Sequence, residues 1–336
     1  MDSSPLAAAD TVADTVADTT PETAPTLRAQ KARSFWDDAF YRFRHNWVGM
    51  AGLAVFLLLC LAALFADQIA PYDYLYQDWN AILQPPSAAH LMGTDDVGRD
   101  VFSRVLMGGR TALMVAMAIT ISGAIIGLLA GSIGAYAGGK VDATLVWIID
   151  GLLSFPTIWL AAFVSVAVAP SLNSWAAALY SITGWAFLKD EVLISYAVVV
   201  FAIGMLNWTW SARLVRSQVL SLREREFVEA TRALGAPMRW IIRHHLMPNV
   251  LGSMIVLVTL SFGNAMLFEA ALSFLGIGIR PPGASWGAMI FQGVARIRTH
   301  AYLVLAPGIT LAIVVLSLQF LGDALNDALN PKQRHG

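Results

Sequence analysis

The chain has 336 residues, of which 57% are hydrophobic and 13% charged, with a mean hydropathy of +0.61 and a net charge of −1. Soluble domains carry about 25% charged residues, so this balance excludes a soluble globular protein and points to an integral membrane protein. The single cysteine, Cys60, excludes a disulfide framework or a cysteine metal cluster, and the net charge argues neither for nor against nucleic acid.

The first 34 residues contain the imperfect repeat "ADTVADTVADTTPETAPT". It holds too little apolar surface to fold and lacks the basic-then-apolar order of a secretory signal, so residues 1–34 read as a disordered tail. Residues 35–66 read as an amphipathic segment followed by a first span over 47–66, long enough to cross a bilayer. A loop over 67–110 follows. The second span covers 111–136, where Gly123, Gly127 and Gly131 recur every fourth residue and form a face that another helix can approach closely. The third runs from 141 to about 169 with Pro156 inside it, which predicts a kink. Residues 172–188 are apolar but short and rich in Trp and Tyr; they read as an interfacial or re-entrant helix, with a seventh span as the alternative. The fourth, fifth and sixth spans fall at 192–212, 249–272 and 301–321, so the core of the chain occupies 111–324 and a short tail 325–336.

Six spans divide the 22 Lys and Arg residues fifteen to seven. The richer side holds both termini and the polar loop 213–248, which places all three in the cytoplasm. Counting 172–188 as a span would move seven arginines outside.

That loop is unusual in so apolar a chain. "SLREREFVEATRAL" favours a helix that ends at Gly235, where glycine accepts a left-handed turn. Pro237 suits the first position of a second helix, which leads into the fifth span at Pro248. Trp240, Ile241 and Leu246 supply apolar surface beyond what a lipid interface would take. A stub inserted into a partner's groove and a solvated amphipathic loop are both compatible with these residues.

Glu229, Ala230, Gly235 and Pro248, at their spacing, resemble the cytoplasmic EAA loop of binding-protein-dependent ABC importer permeases. "FWDDAFYRFRHNWVGMAGLAVFLLL", "LMGTDDVGRDVFSRVLMGGRTAL", "VDATLVWIIDGLLSFP" and "EAALSFLGIGIRPPGASWG" resemble the C-type permease subunit of dipeptide and oligopeptide importers. Thr231 stands where the family has a second alanine, and His245 and Met247 where it favours Ile and Leu. The resemblance implies an all-α fold of the type I importer permease (MetI-like) with six spans in a bacterial or archaeal cytoplasmic membrane. It implies half of a pore completed by a B-type permease, two ATP-binding subunits below and an extracytoplasmic solute-binding protein above. ATP and Mg would sit on those partner subunits, with no cofactor or metal on this chain and no nucleic-acid partner. Peptides are the implied cargo; a nickel chelate, glutathione or an oligosaccharide is the alternative. The implied ATPase-coupling residues are Glu229, Ala230, Gly235, Pro237, Trp240 and Pro248.

Ionisable groups inside spans are functional candidates. Asp150 reads as a helix-pairing or gate residue beside Pro156. Glu269 reads as a contact for a substrate ammonium, or a partner of Arg280 or of another subunit. In the outer loop, Asp95, Asp96, Arg99 and Asp100 offer either local ion pairs, Asp95 with Arg99 and Asp100 with Arg104, or a surface for the binding protein. Two enzyme-like strings carry little. "GAYAGGK" lacks the Ser or Thr and the strand of a phosphate loop. "GASWG" would make Ser285, with His300 near in sequence, the nucleophile of a membrane hydrolase, but no strand precedes it. A passive channel or proton-coupled carrier would need no docking loop.

Overall fold

A computed structural model describes residues 35–329. The expected tail 1–34 and the last residues, 330–336, lie outside the described residues. The described residues form twelve α-helices, one 3-10 turn and one π-turn joined by loops, and six of the α-helices are long and apolar enough to cross a membrane.

Helix α1 (Phe35–His45) is amphipathic and lies against the far end of the chain. Asn46 then opens α2 (Trp47–Leu64), its side chain accepting from Gly49 N at 3.0 Å. That cap satisfies one donor that a helix start leaves open. The short α3 (Ala66–Ile69) leads into the loop. Asp100 caps α4 (Val101–Ala137) by accepting from Ser103 N at 2.8 Å. With 37 residues, α4 is about 55 Å long and outreaches the roughly 30 Å hydrocarbon core.

The third span differs from its sequence reading. The chain from 139 onward is two helices, α5 (Gly139–Leu153) and α6 (Thr157–Thr183), and Pro156 is the cap of α6. Fifteen residues, about 22 Å, are too few to cross, so the spanning helix is α6. It takes in Pro170 and most of the segment expected to be interfacial. Residues 172–183 are thus the last twelve residues of the 27-residue α6, neither a separate re-entrant helix nor a seventh crossing. Hydropathy alone runs through the break, because residues on both sides are apolar.

Asp190 caps α7 (Glu191–Leu222), which is followed by α8 (Glu226–Ala233), α9 (Met238–Ile241) and α10 (Met247–Phe274). Helix α11 (Trp286–Val294) tucks under the start of α4, where Trp286 Nε1 donates to Val105 O at 2.9 Å. Helix α12 (Tyr302–Leu329) returns along α2 and α10.

The α4–α7 pair is the most extensive contact. A methyl on Gly123, Gly127 or Gly131 would run into Asn207, Ser211 or the Ala212 carbonyl, so the glycine face seats α7, as the spacing predicts. Two buried clusters result. One, around Ile119, Leu206, Met266 and Trp286, fills the middle and the end that carries α11. The other, around Val215, Val219, Val228, Ile241, Leu246 and Val250, lies at the opposite end and roots the lever described next.

Candidate functional site

Between the fourth and fifth spanning helices the chain leaves the bundle as α8 and returns as α9. Glu226 and Glu229 stand in the first turn of α8 and Arg232 in its last, the arrangement that complements the helix dipole. Its end is a Schellman closure. Gly235 N donates to Arg232 O at 2.9 Å, Ala236 N donates to Thr231 O at 3.3 Å, and Gly235 has φ +81°. No atom lies within 4 Å of where a Cβ would stand on Gly235, so only backbone conformation calls for glycine there. Pro237 is the cap of α9 rather than its first residue, and Met238 begins the helix.

The second helix is not separate from the fifth span. Residues 238–274 form one continuous rod that passes through a π-turn at Ile242–Leu246, where Met247 N donates to Ile242 O. The cause is Pro248. It has no N–H for the carbonyl four residues back, and its ring would strike that carbonyl, so the helix widens by one residue. Asn249 Nδ2 takes up the His245 carbonyl at 2.6 Å.

The two faces of this lever differ sharply. Val228, Ile241 and Leu246 are fully buried in the bundle, whereas Leu234 is 88% exposed and Phe227 and Trp240 about two-fifths exposed. Ile241 and Leu246, expected on a partner-facing surface, therefore anchor the lever, and Trp240 stays outward, stacked on His244 with ring centroids 4.7 Å apart. Glu229, Ala230, Gly235 and Pro248 are all exposed on the same projecting unit.

A set of ion pairs close to this end was not legible in the sequence. Asp142 of α5 accepts two bonds from Arg216 of α7, at 2.6 and 2.7 Å, and Asp150 accepts from Arg213 Nη2 at 2.7 Å. Hydrogen bonding to Arg216 holds the Asp142 carboxyl below the usual carboxylate range against the opposing effect of burial. Asp150 thus pairs helices, one of its two expected roles. Opposite charges at the borders of neighbouring spans were the only sequence signal. Residues 134–140 are a helix end, a turn with Gly138 at φ +65° and a helix start, with Arg223 Nη1 donating to Ala135 O; this is not the strand and loop of a phosphate cradle.

At the other end, Asp95 is buried. It accepts from Arg99 Nε at 2.7 Å and from Val97 N and Arg99 N, so the expected pair with Arg99 forms. The other expected pair does not. Arg104 turns toward Asp95, at 3.8 Å, while Asp100 caps α4 and meets His90 Nδ1 at 3.0 Å. Residues 95–99 are a turn, so spacing in a helix was the wrong guide. Of the four candidate docking residues, Asp96 is well placed at the surface, beside Arg296 at 3.4 Å.

Glu269 is fully buried. Its Oε1 accepts from Ser273 Oγ at 2.8 Å and Ser285 Oγ at 2.7 Å, fastening α10 to the start of α11, and Arg280 is not its partner. Ser285 is itself buried and bonded to a carboxylate instead of an imidazole, which removes it as a nucleophile.

Six spanning helices around two packed clusters, with a projecting stub rooted by its apolar face, define a polytopic membrane protein. Residues 123–335 match the family described as binding-protein-dependent transport system inner membrane component, and residues 34–86 match the N-terminal transmembrane domain of oligopeptide transport permease C. Relatives include the oligopeptide transport system permease protein OppC of Escherichia coli K12, 36% identical over 306 residues, covering 90% of this chain and 93% of the relative. OppC of Bacillus subtilis 168 is 34% identical over 306 residues (91% and 92%), and the dipeptide transport permease DppC of Alkalihalophilus pseudofirmus 36% over 303 (90% and 92%). An inward-facing structure of the MetNI methionine ABC transporter aligns with TM-score 0.51 and 22% identity over 68% of this chain and 97% of that one, which shows a shared fold. The chain belongs to the inner-membrane components of binding-protein-dependent transport systems: it is a multi-pass ABC permease of the bacterial inner membrane.

Proposed function

We propose that this chain is the permease subunit of an ATP-driven peptide importer, supplying half of the translocation pore and taking its energy through α8 and α9. One observation carries the reading. The tip of the lever exposes the apolar side chains of Phe227, Leu234 and Trp240, while its base packs into the bundle through Val228, Ile241 and Leu246. Covering a Leu side chain is worth about 1.5–3 kcal/mol, so the tip suits a groove on a neighbour and the base suits transmission of force.

The lysine and arginine asymmetry puts the lever end and both termini in the cytoplasm, where ATP-binding subunits are met. ATP and Mg belong to two such subunits, a B-type permease completes the pore, and a solute-binding protein delivers cargo at the end that carries Asp96. Closing of the ATPases on ATP would move the lever and change which end of the pore is open, driven by the difference in their contacts between the two states. The cargo is assigned from the oligopeptide and dipeptide relatives.

The test is Leu234→Glu in the intact complex. We expect the chain to remain in the membrane while ATPase co-purification and labelled-tripeptide uptake fall at least tenfold, the size expected from placing a charge in an apolar groove. Undiminished recruitment and uptake would refute the coupling role.

A further inference from the structure

Helix α8 is held to the bundle by little that has direction. Val228 supplies an apolar contact, which tolerates sliding, and Arg232 lies over the Tyr136 ring at 5.4 Å. The connection to α9 is the Gly235 turn. Among the described residues, one hydrogen bond runs from a side chain of α8 to another helix: Thr231 Oγ1 to His245 Nε2, 3.3 Å. Its ends are two of the three positions at which this chain departs from the loop pattern it otherwise resembles.

The chemistry of this contact is fixed by its surroundings. Thr231 has one hydroxyl proton, and it donates to Phe227 O at 2.7 Å. Its remaining capacity is as an acceptor, so His245 Nε2 carries the hydrogen and donates. The imidazole is held from two sides, with Phe227 of α8 at 5.6 Å and Trp240 of α9 at 5.2 Å between ring centroids. It sits inside the π-turn, one residue per turn wider than an α-helix. That widening sends His244 to stack on Trp240 while His245 faces α8. Thr231 also contributes the carbonyl that closes the Schellman turn, so a pull on it is felt by the turn and the strut together.

We propose that the Thr231–His245 bond is a strut that transmits displacement of α8 to the root of the fifth span, making both side chains positioning residues for energy coupling. The proposal rests on the coupling role assigned to the lever above. Displacement of α8 would be passed through His245 into the π-turn and so into α10, instead of being lost as slippage over Val228.

The experiment uses the reconstituted complex of both permeases, ATPases and binding protein in proteoliposomes, with labelled-tripeptide uptake and ATP hydrolysis measured on the same sample. Thr231→Val keeps the shape and deletes the acceptor; His245→Leu deletes the donor. Each is expected to lower peptide delivered per ATP about two- to tenfold, the range of one hydrogen bond, with the ATPases still bound. Thr231→Ser and His245→Gln, which keep an acceptor and an N–H donor, restore the ratio. The double variant Thr231→Val/His245→Leu is no worse than either single one. Wild-type ratios in the single variants, strictly additive losses in the double, or no rescue by Gln and Ser would overturn the strut. Leu234→Glu separates the two readings. If it uncouples while Thr231→Val and His245→Leu do not, only the strut fails; if it too leaves uptake intact, the coupling role itself fails.

Discussion

Gly127→Ala tests whether the α4–α7 seam is set by backbone contact. The added Cβ would stand 2.8 Å from Ala212 N and 2.9 Å from Trp208 O, and closer still to the Ser211 side chain. Two of these neighbours are backbone atoms of a 32-residue helix, so no rotamer change can clear the overlap and the helices must part. Overpacking of this kind costs about 1–3 kcal/mol, roughly a five- to 150-fold loss in the folding equilibrium. Gly252→Ala is the matched control, since nothing lies within 4 Å of its added methyl. Helix propensity there favours alanine by up to about 1 kcal/mol. That propensity gain is common to both helical sites, so the two variants should differ by the overpacking cost alone, about 1–3 kcal/mol, with Gly127→Ala the less stable. Unfolding of the purified chain in mixed micelles, titrated with dodecyl sulfate, measures both. If Gly127→Ala is as stable as Gly252→Ala, the close-approach argument for the glycine face is wrong.

Breaking the Asp142–Arg216 pair by Asp142→Asn or Arg216→Gln should cost about 1.5–3 kcal/mol, with strong non-additivity in a double-mutant cycle. Because the Asp142 carboxyl is held below its ordinary range, this contribution is complete near neutral pH and disappears as pH falls through the lowered value; acid unfolding of Asp142→Asn should lose that dependence. Ser285→Ala should leave uptake intact and lower the thermal midpoint, since Glu269 keeps its bond from Ser273 but loses one of two donors, at about 1–3 kcal/mol. A hydrolase reading requires loss of activity instead. Pro248→Ala restores a backbone donor and should let residues 242–246 tighten into an α-helix, turning His245 away from α8. A cysteine pair at 231 and 245 that cross-links in the parent should then stop doing so.

Much of this architecture was legible in the sequence because hydropathy and spacing are local properties. Five spans and the glycine face come straight from them, and Gly235 announced its left-handed turn. The third span was misplaced because Ser154–Pro156 interrupts the backbone without interrupting the apolar run. The family-like lever was readable as a helix, a turn and a second helix. Which of its apolar residues face inward was not, because the π-turn offsets the face by one residue. Asp95, Asp100 and Arg104 were misjudged in part because the loop brings His90 and Asp95 to them by a fold that no short spacing encodes. The Thr231–His245 contact spans fourteen positions and depends on the same offset.

Arg110 ties α4 to the end of α2. From α4 its guanidinium donates to the Ala63 and Leu64 carbonyls at 3.0 Å each and to Asp67 at 2.9 Å, closing the exit of α2. The family match falls into two blocks, with α2 in the first, the last fifteen residues of α4 in the second and Arg110 in the stretch between them, which invites chimaeras that exchange the leading segment between relatives. Such a graft would carry its own rim of carbonyls to a guanidinium it did not evolve with. Any graft supplies the two carbonyls, so position 67 decides: a segment without a carboxylate there leaves the guanidinium without its counter-charge, whereas one that keeps Asp67 opposite Arg110 should assemble.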